Sequence, residues 1–186
     1  MSLFDWFGKK NEAGFSTLEE ELTRFYRMHR NIVYAYFFRV TGDREESEEL
    51  TQETFYQAVK SIHRFKGRSS MKTWLLQIAR NMYRNKVRSW VKERKYRDFG
   101  EMGEYGDETY NPQRIVMQQN SRQEVVRAFQ QLPMDYREVL VLKEIEGLAH
   151  ADIAQILGKT PQTTKVLLHR AKQKLREHYQ SEVLEK

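Results

Sequence analysis

The sequence predicts an all-α protein of two small helical domains joined by a flexible acidic linker, the C-terminal domain carrying a helix-turn-helix. Three observations predict it. Apolar residues recur at three- and four-residue steps over long stretches with no alternating strand pattern and no internal repeat. The segment FGEMGEYGDETYNP, residues 99–112, breaks that periodicity with glycines, a proline and a run of acids. Near the C-terminus a glycine turn joins two short helical patterns.

In chain order, residues 1–15 read as a disordered tail. MSLFDWFGKK has bulky apolar residues but no basic segment ahead of them and no cleavage-like site, so it is not expected to be a secretory signal. Ser16-Thr17-Leu18-Glu19 has the capping-box pattern. Leu22, Phe25, Tyr26, His29, Ile32, Val33, Tyr36, Phe37 and Val40 then trace one face of a long helix, stopped by Gly42. Asp43 caps a second helix with Thr51, Phe55, Ala58, Val59 and Ile62 on its apolar stripe and Glu49, Gln52, Glu53, Tyr56 and Gln57 opposite. After the loop RFKGRSS a third helix starts near Met71, with Trp74, Leu75, Ile78, Ala79 and Met82 facing inward. The first domain is expected over 16–97, the linker over 98–112 and the second domain over 113–186. In that second domain helices are expected over Arg122–Gln131, Met134–Glu146, Ala149–Leu157 and from Pro161 to about Tyr179.

Composition narrows the function. The 186 residues carry a formal net charge of +6, and no apolar run approaches the ~20 residues of a membrane span. There is no cysteine, which removes disulfides, thiolate nucleophiles and cysteine-ligated zinc and suits the cytoplasm. His29, His63, His150, His169 and His178 do not build a helical zinc pair, and no glycine-rich phosphate loop is present. Glu48 and Glu49 are paired carboxylates without a pocket and read as a solvated face. No catalysis, metal, cofactor or small-molecule substrate is expected. Charge is instead segregated along the chain. Lys60–Arg97 holds thirteen Lys or Arg against Glu93 alone, Asp43–Glu53 holds six acids against Arg44, and Asp98–Glu108 holds five acids and no base. The basic block is a polyanion footprint.

Gly147 ends one helix of the second domain. Ala151, Ile153, Ala154, Ile156 and Leu157 form the next, Gly158 makes the turn, and Thr160-Pro161 places an N-cap before proline at the first helical position. An ordinary αα-hairpin would share this spacing. In a helix-turn-helix the second helix lies in the major groove with its N-terminal residues nearest the base edges.

Two stretches, ESEELTQETFYQAVKSIHRFKGRSSMKTWLLQIARN and LPMDYREVLVLKEIEGLAHADIAQILGKTPQTTKVLLHRAKQKL, resemble two regions of bacterial sigma factors. They are most similar to the compact extracytoplasmic-function (ECF) group, which keeps only a promoter-melting domain and a C-terminal helix-turn-helix domain. The likeness spans about residues 16–180, with both motifs in the right order and at the right separation. It implies an alternative sigma factor that binds the β and β′ subunits of core RNA polymerase, recognises the minus-thirty-five promoter element and melts the minus-ten element. It also implies a cytoplasmic stress-response regulator restrained by an anti-sigma protein, commonly a membrane protein.

By this resemblance Glu49, Leu50, Gln52, Glu53, Tyr56 and Gln57 dock on the β′ clamp coiled coil. Lys66, Arg68, Lys72, Arg80, Arg84, Lys86 and Arg88 hold minus-ten phosphates. The loop Phe65–Ser70, Ser69 included, and the nearby Asn81 capture a flipped base, while Trp74 belongs to the core. The acidic linker follows the polymerase cleft as a nucleic-acid mimic, with a flexible solvated connector as the alternative. Asn85 departs from the family, which often has an acid there.

The same resemblance assigns Thr160, Gln162, Thr163, Lys165, Val166, Leu167, Arg170 and Lys174 to minus-thirty-five DNA. Helical spacing puts Thr164, Leu168, Ala171 and Leu175 on the core face and Thr163, Val166, Leu167, Arg170 and Lys174 on another. The family usually has Ser and Arg where Val166 and Leu167 stand, and a small aliphatic at Thr164. The expectation is that the two aliphatics meet thymine methyls or a close backbone approach, with a protein-binding patch as the rival. Two other functions would call for different features. A stand-alone helix-turn-helix regulator would need dimerisation but no polymerase-docking helix, and a nuclease would need clustered metal-binding carboxylates or histidines.

Overall fold

The computed structural model describes residues 18–98 and 120–184. The expected tail, the Ser16-Thr17 half of the capping box and all of the expected linker except Asp98 lie outside the described residues. Among the described residues every regular element is helical. We number the α-helices α1 (Leu18–Thr41), α2 (Arg44–Ser61), α3 (Met71–Asp98), α4 (Asn120–Gln130), α5 (Met134–Leu140), α6 (His150–Leu157) and α7 (Pro161–Leu184), with a 3-10 turn at Ile62–Arg64 and a π-helical turn at Val141–Ile145. Two compact units divide the chain: one runs to Tyr83 and includes Gln155–Gly158, and the other takes the remaining residues.

In the first unit α1 packs along α2. Phe25, Val33, Tyr36, Phe37 and Val40 of α1, Leu50, Phe55 and Ala58 of α2, and Met71, Leu75, Leu76, Ala79 and Tyr83 of α3 are buried. Phe55 receives Phe25 and Tyr26 edge-on, at centroid distances of 5.5 and 4.8 Å. Tyr83 donates its hydroxyl to the Val40 carbonyl (3.2 Å), which ties α3 to the end of α1.

The corner between α1 and α2 shows how the chain turns without orphaning its polar groups. Gly42 has φ 76°, a left-handed conformation that closes α1. Asp43 caps α2 by accepting from the Glu46 amide at 2.8 Å. Beneath it Thr41, Ser47 and Thr51 are buried but satisfied: Thr41 donates to the Phe37 carbonyl (2.9 Å), Ser47 to the Asp43 carbonyl and Thr51 to the Ser47 carbonyl (2.6 Å).

In the second unit α7 packs against both α4 and α5. Ala128, Val139, Leu140, Val141, Leu142, Leu148, Ile153, Ala154 and Ala171 are buried. The helix expected over Met134–Glu146 changes character at Val141. There the Glu146 amide reaches back five residues to the Val141 carbonyl (3.0 Å), and the widened turn carries Val141 and Leu142 side by side into the core. Lys143 closes the turn by donating to the Leu148 carbonyl at 3.1 Å.

Candidate nucleic-acid interface

Gly158 and Thr160 build the helix-turn-helix corner. Gly158 has φ 62°, and a Cβ placed there would meet nothing within 4 Å, so backbone conformation rather than crowding calls for glycine. Thr160 caps α7 through its side chain, accepting from the Thr163 amide at 3.1 Å, and Pro161 begins the helix as the sequence predicts. The face assignment of α7 also holds. Thr164 and Ala171 are fully buried and Leu168 and Leu175 partly so, while Gln162, Thr163, Lys165, Val166, Arg170 and Lys174 are exposed. The aliphatic pair is split, with Val166 exposed and Leu167 partly buried.

Thr164 accounts for its own burial. Its hydroxyl lies 2.8 Å from the Pro161 carbonyl, to which it donates, and 3.0 Å from Nδ1 of His150, the first residue of α6. His150 is held below its ordinary value by desolvation first and then by the Lys143 and Lys165 charges. Lys159 pairs with Asp135 at 3.1 Å, Lys172 with Glu144 at 2.9 Å and Lys174 with Glu177 at 3.1 Å. Lys174 would therefore have to exchange a carboxylate for a phosphate on binding DNA. Thr160 and Thr163 bond each other through their hydroxyls (2.8 Å).

In the first unit the inward stripe of α2 is Ser47, Leu50, Thr51, Thr54, Phe55 and Ala58. Leu50, expected at the docking surface, is buried because it falls on this stripe. Val59, expected on the stripe, is instead exposed. The remaining docking candidates form the outer face: Glu49, Gln52 and Tyr56 are exposed, and Glu53 and Gln57 are half-exposed and bonded to each other (2.8 Å). Lys60 covers the Tyr56 ring at 4.9 Å.

The basic segment begins in a loop with Gly67 at φ 67°, and Ser70 caps α3 by accepting from the Thr73 amide at 3.0 Å. Lys66, Arg68, Asn81 and Arg88 are exposed, and Ser69, Lys72, Arg84 and Lys86 are half-exposed. Two residues depart from expectation. Phe65 is buried against Trp74, at a ring distance of 5.2 Å, so it packs the loop down rather than lining its surface. Arg80 is also buried, because it stands four residues after Leu76 and three before Tyr83 on the inward side of α3. Asn85 is exposed, so its departure from the family pattern leaves the packing untouched.

Comparison with known proteins finds two family models in order along the chain. The model of sigma-70 region 2 matches residues 25–92 and that of sigma-70 region 4 matches residues 122–175. The ECF RNA polymerase sigma factor SigX of Bacillus subtilis is 29% identical over 164 residues, covering 87% of this chain and 84% of that one. The ECF RNA polymerase sigma factor SigM of the same organism is 31% identical over 159 residues, covering 85% of this chain and 94% of that one. The chain belongs to the ECF sigma factors. Its fold is shared with the sigma factor RpoE of Bartonella quintana, solved with the anti-sigma factor NepR (TM-score 0.69, 22% identity, 87% of this chain and 98% of that one). It is also shared with CnrH, solved with the cytosolic domain of CnrY (TM-score 0.66, 19% identity, 96% of each chain).

This sigma factor therefore acts in promoter-specific transcription initiation, and a stand-alone helix-turn-helix regulator is not favoured. Sigma factors as a family are not enzymes. Among the described residues no group of three or more His, Asp or Glu is placed to hold a metal ion, and no helix is long and apolar enough to cross a membrane. Sequence reasoning missed Trp90, which is exposed on the basic helix of the sigma factor with the Lys86 ammonium 5.9 Å from its ring. The signal was present in the i, i+4 spacing of Lys and Trp, but a scan of charge alone passes over aromatics.

Proposed function

We propose that this sigma factor docks on core RNA polymerase through the outer face of α2, made of Glu49, Gln52, Glu53, Tyr56 and Gln57. Residues 16–97 then act as region 2, and 113–186 as region 4. The loop after α2 and the exposed cations of α3 hold the minus-ten backbone while Ser69 and Asn81 help to retain an unstacked base. Trp90 adds an aromatic surface beside Lys86 on the same helix. In the second unit the exposed half of α7 reads the minus-thirty-five element, with Lys165, Arg170 and Lys174 on phosphates. The work is done by binding: charge and stacking shift the duplex toward its open form without a bond being made or broken.

The observation that carries this reading is the separation of roles on one surface helix. Every docking candidate on α2 except Leu50 lies outside the stripe that builds the core, so a partner can contact this face without disturbing core packing. The linker over 98–112 is assigned to the basic channel of the polymerase on charge complementarity. The solved relatives in complex with NepR and CnrY support an anti-sigma partner for this chain, and we place its action in the cytoplasm, where core polymerase and promoters meet.

Run-off transcription from genomic fragments with core enzyme tests the proposal. Start sites that require both this chain and core are expected. Gln52→Ala combined with Tyr56→Ala should reduce transcription at least tenfold while leaving the thermal midpoint unchanged. Promoter binding by the chain that is indifferent to core enzyme would refute it.

A further inference from the structure

Gln162, Val166 and Arg170 follow one another at four-residue steps on the exposed half of α7 and form one ridge. An amide, an isopropyl group and a guanidinium are thus offered in order. Thr163 beside them has its hydroxyl engaged by Thr160, and Thr164 is turned into the core. Val166 is 42% exposed, so it contributes little to packing. Its β-branched side chain is also a poorer helix former than the lysine or glutamine such a position accepts. Its neighbours on the surface, Gln162, Thr163, Lys165, His169 and Arg170, are exposed and polar or basic. A single valine in that setting is far smaller than the several hundred Å² of contiguous apolar surface that marks a protein-docking patch.

In the major groove the one apolar group on a base edge is the thymine C5 methyl. Four residues of helix advance about 6 Å, close to two base-pair steps of about 3.4 Å. We infer that Val166 is a specificity-determining residue that packs on a thymine methyl within the minus-thirty-five element, about two base-pair steps from a base pair read by the amide of Gln162. This rests on the reading of α7 as the minus-thirty-five helix. An arginine or serine at position 166 would find a phosphate or a base acceptor there. Valine instead rewards a methyl and leaves any polar edge facing it unpaired, so it selects thymine over cytosine.

The test removes one methyl at a time. A promoter recovered by run-off transcription is made as synthetic duplexes in which each thymine of the minus-thirty-five element, on either strand, is replaced by deoxyuridine. Holoenzyme binding is then measured for the wild-type chain and for Val166→Ala. At one thymine the wild type should lose about fourfold in affinity, the value of one buried methyl, and Val166→Ala should bind the thymine and uracil duplexes equally. Wild-type indifference to every replacement overturns the inference, as does a Val166→Ala chain that keeps the full loss. A scrambled minus-thirty-five element separates the two levels. If scrambling leaves wild-type binding intact, α7 is not the reading helix and the inference falls with that reading. If scrambling abolishes binding while every uracil is tolerated, the helix reads DNA and Val166 does not read a methyl.

Discussion

The hydroxyl of the fully buried Thr164 lies 3.0 Å from Nδ1 of the partly exposed His150, joining the two helices of the helix-turn-helix. Because the single hydroxyl proton goes to the Pro161 carbonyl at 2.8 Å, Nδ1 must be the donor in this pair. Thr164→Val removes the acceptor while nearly keeping the shape. The expected cost is about 1 kcal/mol, read as a lower urea midpoint with an unchanged slope. Promoter binding should weaken with it, since the corner sets the angle at which α7 is presented.

Acid should weaken the first unit through His29. Burial holds this imidazole below its ordinary value of 6.5, its Nε2 is buried without a hydrogen-bond partner in the structure, and its ring lies edge-on to Phe25 at 5.4 Å. The unfolded chain therefore takes up the proton first as pH falls. The contribution is complete above pH 6.5 and is lost progressively as pH drops through the lowered folded value. His29→Leu, measured by thermal denaturation between pH 5 and 7.5, should give a shallower decline toward acid than the wild type.

Thr54 offers a gain in stability. Its side chain is fully buried on the inner stripe of α2, and its hydroxyl has no hydrogen-bond partner in the structure. Thr54→Val exchanges a desolvated hydroxyl for a methyl of similar size. A stabilisation of about 1 kcal/mol is expected, and a thermal midpoint unchanged or lowered would count against it.

Arg80 and Arg88 should separate when each is changed to alanine. Arg88 is exposed, so its loss should reduce the salt dependence of promoter binding by about one charge equivalent while leaving the thermal midpoint in place. Arg80 is buried, and its loss should lower the midpoint. A salt titration paired with a melting curve distinguishes the two, and equal behaviour would contradict the placement of Arg80.

Much of this protein was determined by short-range sequence. Helical periodicity, Asp43 and Thr160 as caps, and the left-handed glycines at 42 and 158 each act within a few residues of themselves, so the helices and the corners of both units can be read without the fold. The same holds for the two faces of α7, where 3.6-residue spacing alone puts Thr164 and Ala171 inside and Arg170 and Lys174 outside.

Tertiary packing decided what periodicity leaves open by one residue. On α2 it drew Leu50 and Thr54 inward and left Val59 in solvent; on α3 it took Arg80 out of the basic face; on α7 it divided Val166 from Leu167. The reason is angular. Adjacent helical positions differ by about 100°, so residues at the margin of a stripe are assigned only when a neighbouring helix fixes the rotation. The π-helical turn at Val141 arises in the same way, since nothing local in VLKEI asks for it and the demand comes from two adjacent apolar side chains that the core must both receive.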